Sequence, residues 1–280
     1  MHNSVEFSGF STSGIDDSPL SAAVSARDRD TLSMVRHALH HRNVALAFQP
    51  VISTNEETTP AFYEGLIRVL DETGRVIPAK DFIGVVETTE LGRIVDCVAL
   101  ELGLSTLADQ PGLRLAINMS ARSIGYQRWM QTLNHGLAQD PTIAERLILE
   151  ITERSAMQMP ELVTVFMKEL QHRGIAFALD DFGAGFTAFR YLKEFYFDIL
   201  KIDGQFIRGI ADNPDNQVLT NALISIGQHF DMFTVAESVE SAADAKFLKD
   251  SGIDCMQGYF FGAPSLKPHW NLPLRQQKTA

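Results

Sequence analysis

The sequence predicts a (β/α)8 barrel. Three observations point to it: apolar, β-favouring runs alternate with amphipathic stretches, eight such runs fit within about 250 residues, and seven of the runs carry a polar residue inside or at the end. Strands that read as apolar on both faces and are separated by helices belong to a parallel sheet covered by helices. In an open sheet the seven polar residues would be spread along a crevice. In a barrel they converge on one mouth.

In chain order, Met1 to Ser25 is Ser-rich, with no basic residue before Arg27 and no apolar centre, which excludes a secretory signal and predicts a flexible tail over residues 1–26. Leu32, Val35 and Leu39 recur at helical spacing and predict a helix over Arg29–His41. The expected strands are Val44–Ile52, Ala61–Val69, Leu113–Met119, Leu147–Thr152, Ile175–Asp180, Phe197–Ile202, Met232–Ala236 and Ile253–Phe260. Helical stripes lie between them: Leu91, Ile94, Val95, Val98 and Leu102, then Leu162, Val163, Phe166 and Leu170, then Leu219, Leu223 and Ile226. The domain is expected over 27–270, with a polar tail over 271–280.

Composition narrows the function. With 24 Lys and Arg against 35 Asp and Glu the formal charge is −11, which argues against coating duplex nucleic acid but permits one small phosphate-containing ligand held by concentrated cations. No apolar run reaches the roughly 20 residues of a membrane span. Cys97 and Cys255 lack any metal-ligand spacing and read as reduced core residues of a cytoplasmic protein.

The strand-end residues are Glu64, Asn118, Glu150, Asp180, Lys201, Glu237 and Gln257, with Asp181 beside Asp180. So many carboxylates in one cavity need cations, and all-oxygen ligands select hard ions such as Mg2+ or Mn2+ over Zn2+. Adjacent aspartates leaving a strand in different directions can serve two ions, the arrangement that supports in-line phosphoryl displacement, and Lys201 adds a cation for the water or phosphate. Each residue has a plainer reading by itself. A lone Glu after a strand is commonly a helix cap or solvated, Asp180–Asp181 could open a helix, Asp203 caps the segment near Gln205, Arg68 could be a surface arginine, and the run Phe182 to Phe186 reads as a glycine loop. Those readings would have to hold on six or seven strands at once.

The ordered motifs at these positions resemble the EAL-domain family of cyclic di-GMP phosphodiesterases, from about Thr31 to Pro264. They are Phe48-Gln49-Pro50, Glu64-Gly65-Leu66-Ile67-Arg68, Ile117-Asn118-Met119-Ser120, Leu149-Glu150-Ile151-Thr152-Glu153, Asp180-Asp181-Phe182-Gly183-Ala184-Gly185, Leu200-Lys201-Ile202-Asp203, Ala236-Glu237-Ser238-Val239-Glu240 and Met256-Gln257-Gly258 through Pro264.

The resemblance implies a TIM-like barrel whose first strand is antiparallel, and Mg2+- or Mn2+-dependent hydrolysis of cyclic di-GMP to linear pGpG. It implies that Glu64, Asn118, Glu150 and Asp180 hold one ion and Asp180 and Asp181 the second. Lys201 would hold the attacking water or the phosphate, with Glu237 and Gln257 ordering the water. Either Glu237 or Asp181 would be the general base. Gln49, Leu66 and Arg68 would position the dinucleotide, and Glu153 would brace the Asp-Asp loop, which in this family contributes to a homodimer interface. Gly65 stands where the family has alanine, and Ala184 where it has threonine. Two other readings stay open: a cyclic di-GMP-binding sensor without turnover, and another metal-dependent barrel enzyme of proton-abstracting type.

Overall fold

In a computed structural model, residues 19–55, 59–185, 192–268 and 270 are described, with side chains from residue 23 onward. Nine strands form one sheet: β1 (Val44–Ser53), β2 (Pro60–Leu70), β3 (Val76–Pro78), β4 (Leu115–Asn118), β5 (Leu147–Thr152), β6 (Ala176–Phe182), β7 (Ile199–Ile202), β8 (Phe233–Ala236) and β9 (Cys255–Gln257). The order β1-β9-β8-β7-β6-β5-β4-β2 closes on itself through a β1–β2 pairing, and β3 extends β2 outside the ring. Pairings from β4 through β9 and from β2 to β4 are parallel, whereas β1 is antiparallel to both neighbours. The fold is therefore the expected TIM-like eight-stranded barrel with an inverted first strand.

The covering helices are α1 (Pro19–His40), α2 (Ile83–Val86), α3 (Glu90–Asp109), α4 (Gln127–Gln139), α5 (Glu153–Gln158), α6 (Pro160–Gln171), α7 (Gly204–Ile207), α8 (Pro214–His229) and α9 (Ala242–Asp250). Their ends follow capping chemistry. Thr89, Thr152, Asn213 and Ser241 accept backbone N–H bonds at the starts of α3, α5, α8 and α9, and Pro160 and Pro214 occupy first-turn positions of α6 and α8. Residues Leu91, Val95, Leu100, Leu104 and Leu107 of α3 are buried against the barrel, together with Trp129 and Leu133 of α4 and Phe166 and Leu170 of α6. Truncating the fully buried Trp129 to alanine would cost about 3–5 kcal/mol.

Several boundaries differ from the sequence pattern. Helix α1 begins at Pro19, inside the stretch read as a tail, because Ser and Ala residues there continue a helix without adding an apolar stripe. Residues 1–18 and 271–280 lie outside the description. Strands β4 and β7 start at Leu115 and Ile199, each two residues late, and β6 runs on to Phe182, two residues past its expected end. Strand β9 covers only Cys255–Gln257, because Gly258 turns the chain away from the ring. A Cβ at Gly258 would lie 2.1 Å from the Val239 carbonyl oxygen, an approach only glycine permits. Strand β3 is an addition to the expected set, three residues being too short for an alternation to show. After β9 the chain crosses β1, where Phe48 and Ser265 exchange backbone hydrogen bonds of 2.9 and 3.0 Å. Trp270 sets its ring against Phe48 and Tyr63, each with centroids 4.9 Å apart.

Two interior layers fill the barrel. The lower contains one apolar residue from each strand of the ring: Val51, Phe62, Ala116, Ile148, Ala178, Ile199, Val235 and Cys255. Since side chains alternate across a strand, the residue two positions along shares the interior. Moving two positions toward the C-terminal mouth gives Glu64, Asn118, Glu150, Asp180, Lys201, Glu237 and Gln257; in β1, whose direction is reversed, moving two positions back gives Gln49. An eight-membered polar ring thus sits on an eight-membered apolar plug.

Candidate functional site

Lys201 is the hub of the polar ring. Its side chain is 1% exposed, and its Nζ lies 2.8 Å from Glu150 Oε2, 2.8 Å from Glu237 Oε1, 2.9 Å from Asp180 Oδ1 and 3.4 Å from Glu64 Oε2. Glu64 is the second hub. Its Oε1 accepts from Asn118 Nδ2 at 2.8 Å and its Oε2 from Gln257 Nε2 at 2.7 Å, and Gln257 also donates to Gln49 Oε1 at 3.2 Å. Gln49 in turn donates to the Gly262 carbonyl at 3.1 Å, so the segment after β9 is tied to the first strand. All seven strand-end residues read from the sequence therefore meet at one mouth, and Gln49 joins them.

Asp181 enters by a backbone device. Its φ of 54° places it in the left-handed region, where Asp is several-fold enriched among non-glycine residues, and the β6–β7 register shifts between Leu179 and Phe182. Normal alternation would turn neighbouring side chains to opposite faces. The bulge instead brings carboxylate oxygens of Asp180, Asp181 and Glu237 within 4.8 Å of one another. Glu153, at the start of α5, accepts the Gly183 N–H at 3.0 Å, which places its carboxylate against the Asp-Asp turn. Ala184 N–H bonds the Asp181 carbonyl at 3.1 Å; residues 186–191, including Phe186 of the expected glycine loop, lie outside the described residues. Asp203 accepts from Gln205 N–H at 2.7 Å, the cap expected of it.

Charge follows from this geometry. Four ring carboxylates surround one ammonium, so although burial disfavours its charge, Asp180, Glu150, Glu237 and Glu64 raise Lys201 well above the ordinary lysine value. Burial and the charge of Glu64 push Glu150 well above the carboxylate range, against the pull of Lys201. Burial also raises Glu237, with Asp180 and Glu64 adding to it against Lys201. Glu64 goes the other way: burial raises it, but Lys201 and the bonds from Gln257 and Asn118 together bring it below the usual value. Burial and the adjacent Asp180 raise Asp181 to about 6.

This donor set fits hard divalent cations. Its ligands are oxygens, and the Oε1 of Glu150, buried with its residue only 1% exposed, has no hydrogen-bond partner among the described residues, leaving an acceptor for a cation. The Nδ2 bond from Asn118 to Glu64 reserves the Asn118 carbonyl oxygen for a second contact. Cys97 and Cys255 are buried free thiols, and burial raises them to about 11 and about 12, as inert core residues.

Above the ring opens a cavity of about 580 Å3 lined by Gln49, Leu66 and Arg68, the three residues read as substrate contacts. Lys80, Arg208, Ser238, Glu240 and Tyr259 line it too, and the sequence did not mark them as cavity residues. Tyr259 follows Gln257 by two residues and could have been found from that spacing. The others come from turns with no periodicity to mark them.

Residues 32–264 match the family described as EAL domain. Cyclic di-GMP phosphodiesterase PdeF of Escherichia coli is 30% identical over 237 residues, covering 83% of this chain and 31% of PdeF. The FimX EAL domain from Pseudomonas aeruginosa, solved bound to c-di-GMP, superposes with a TM-score of 0.78 at 25% identity, covering 85% of this chain and 97% of that one. The PaMucR phosphodiesterase in complex with c-di-GMP gives 0.73 at 28% identity, covering 84% and 97%. The chain spans about a third of the length of the curated relatives it matches. No helix among the described residues is long and apolar enough to cross a membrane. The match extends over most of the described barrel and takes in the whole polar ring, and on that ground this chain is a member of the EAL domain family.

Proposed function

We propose that this chain is a metal-dependent phosphodiesterase that hydrolyses one phosphodiester of cyclic di-GMP to linear pGpG. The observation that carries the proposal is the complete ring: every strand of the barrel supplies a polar residue to one mouth, four of them carboxylates gathered on Lys201, with Asp181 turned in beside them. The relatives named above as phosphodiesterases and as complexes with c-di-GMP supply the substrate class.

Glu64, Asn118, Glu150 and Asp180 would hold one ion, and Asp180 with Asp181 a second, Mg2+ or Mn2+ in each case. Bound divalent ions supply Lewis acidity that activates water and balances charge on the phosphate oxygens of an in-line displacement. Lys201 acts beside them as a preorganised cation toward the attacking water or the phosphate. Gln257 and Glu237 orient that water, and Glu237 and Asp181 are the two candidate proton acceptors. Gln49, Leu66 and Arg68 position the dinucleotide, with Arg68 on a phosphate, while Glu153 keeps the Asp-Asp turn in place. The buried free cysteines support a cytoplasmic setting, and the homodimer implied by the family resemblance is checked by light scattering.

A second reading, a sensor that binds cyclic di-GMP without cutting it, is favoured by Gly65 and Ala184, the two departures from the family pattern. Incubating the protein with cyclic di-GMP in Mn2+, Mg2+, Ca2+ or EDTA and following pGpG separates the two. Turnover is expected in Mn2+ and Mg2+ and not in Ca2+, whose longer, irregular coordination at about 2.3–2.6 Å spoils the spacing. Binding without pGpG in any metal would establish the sensor. Equal turnover in Ca2+ and Mg2+ would refute the metal assignment.

A further inference from the structure

The wall of the cavity that Arg68 lines also holds a group of residues that the proposed chemistry does not use. Arg208 caps the C-terminal end of helix α7, and the segment after β8 carries Ser238 and Glu240. Ser238 has a φ of 56°, a left-handed conformation that few residues with side chains adopt. Its side chain is engaged on both sides. The Ser238 hydroxyl accepts a hydrogen bond from Arg208 Nη2 at 3.0 Å. A Cβ at residue 204 would fall 2.5 Å from that same hydroxyl oxygen, so Gly204 leaves the room that Ser238 occupies.

The same edge of the guanidinium also faces Glu240, with Arg208 Nε 3.6 Å from its Oε1, which leaves Nη1 free of both partners. Both side chains are more than half exposed, and such a pair adds little to stability. What it does is set a fork of donors beside a carboxylate acceptor in the wall of the cavity, next to the exposed ring of Tyr259.

We infer that Arg208 and Glu240, braced by Ser238, form a subsite that reads the edge of one guanine of the bound cyclic dinucleotide. The inference rests on the cyclic di-GMP reading above and adds the residues that choose the base. Guanine presents the acceptors O6 and N7 next to the donors N1–H and N2–H, which is the complement of a guanidinium beside a carboxylate. Adenine carries an amino donor where guanine has O6 and has no proton on N1. It would face Arg208 donor to donor and Glu240 acceptor to acceptor, and groups left unpaired in that way reject a ligand strongly. Tyr259 offers a face for the base to stack on, a contact that does not itself distinguish bases.

The test is calorimetric titration of the full chain with cyclic di-GMP and with cyclic di-AMP, on wild type and on Arg208→Ala, Glu240→Gln and Ser238→Gly, with thermal melts of each. Arg208→Ala and Glu240→Gln are expected to weaken cyclic di-GMP about tenfold or more while changing cyclic di-AMP less than about threefold, the scale of losing one bidentate base contact. Ser238→Gly, which frees the guanidinium without removing it, is expected to narrow the preference by a smaller factor. Melting temperatures should stay within about 2 °C. An unchanged preference in Arg208→Ala, or equal weakening of both dinucleotides, overturns the guanine subsite. Wild type that binds neither dinucleotide overturns the underlying cyclic di-GMP reading instead.

Discussion

At the scale of single residues, one departure from the family pattern, Gly65, has a structural answer. Gly65 faces outward from β2, and the place an alanine methyl would take lies 2.8 Å from Ile117 Cδ1. The same carbon lies 2.8 Å from where a Cβ on Gly103 would be, so the Ile117 side chain fills the space that two glycines leave. We expect Gly65→Ala to keep turnover within about tenfold, or 1.4 kcal/mol of barrier, and to lower the melting temperature by a few degrees through crowding. Adding Ile117→Val should recover most of that loss, a coupling that a double-mutant cycle measures. A gain of several hundredfold in turnover from Gly65→Ala would favour the sensor. Lys201 poses a sharper case, because Glu64, Glu150, Asp180 and Glu237 all converge on its ammonium. Lys201→Ala is expected to cut turnover by about 10²-fold or more while cyclic di-GMP still binds. In EDTA the variant should also melt earlier than wild type, and Mn2+ should restore more of its stability than it adds to wild type. Turnover lost only in step with folding would remove Lys201 from the chemistry.

At the scale of elements, the link between α3 and the turn after β4 carries its own titration. Asp96 is buried on α3, and its Oδ2 accepts from Ser120 N–H at 3.0 Å and from the Ser123 hydroxyl, pinning the turn that follows Asn118. Burial raises its pKa to about 7, against those two bonds. The folded chain therefore holds this proton more tightly than the unfolded chain, whose Asp ionises near pH 4. Stability from this group is greatest below about pH 4, falls as pH rises toward 7 and is level above it. Asp96→Asn, which keeps an acceptor and never ionises, should gain on wild type between pH 5 and 7.5 by about 1–3 kcal/mol in chemical denaturation. A gain in the opposite direction would show that the carboxylate is held ionised. The elements also show what a sequence exposes. Strands such as β5 and β6 were legible because a continuous apolar run with one polar interruption, Glu150 or Asp180, is a strong pattern. The early turns of α1, where Leu20 and Val24 are the large apolar residues among Ser and Ala, and the three-residue β3 leave no pattern. The left-handed bulge at Asp181 depends on a register shift that no local periodicity encodes, although the Asp-Asp pair itself was plain.

At the scale of the whole molecule, the polar ring was readable because a closed barrel converts strand ends into neighbours, while the Arg208, Ser238 and Glu240 wall was not, since turns from distant segments meet only in three dimensions. The inverted first strand has a further consequence, for the order in which the molecule assembles. Strands β1 and β2 pair over nine positions from neighbouring stretches of chain, whereas β1 meets β9 over three. Gln49 and Gln257, which bond across that seam, are 208 positions apart. Contacts of such long separation form late, after local pairing and the intervening crossovers. The ring is thus completed only when the last strand seats, so regain of cyclic di-GMP binding after dilution from denaturant should lag regain of helical circular dichroism. Native-state hydrogen exchange should report the same seam, with the amides of β9 opening at lower free energy than those of β5. Equal protection of the two strands would mean that the barrel closes as one cooperative unit.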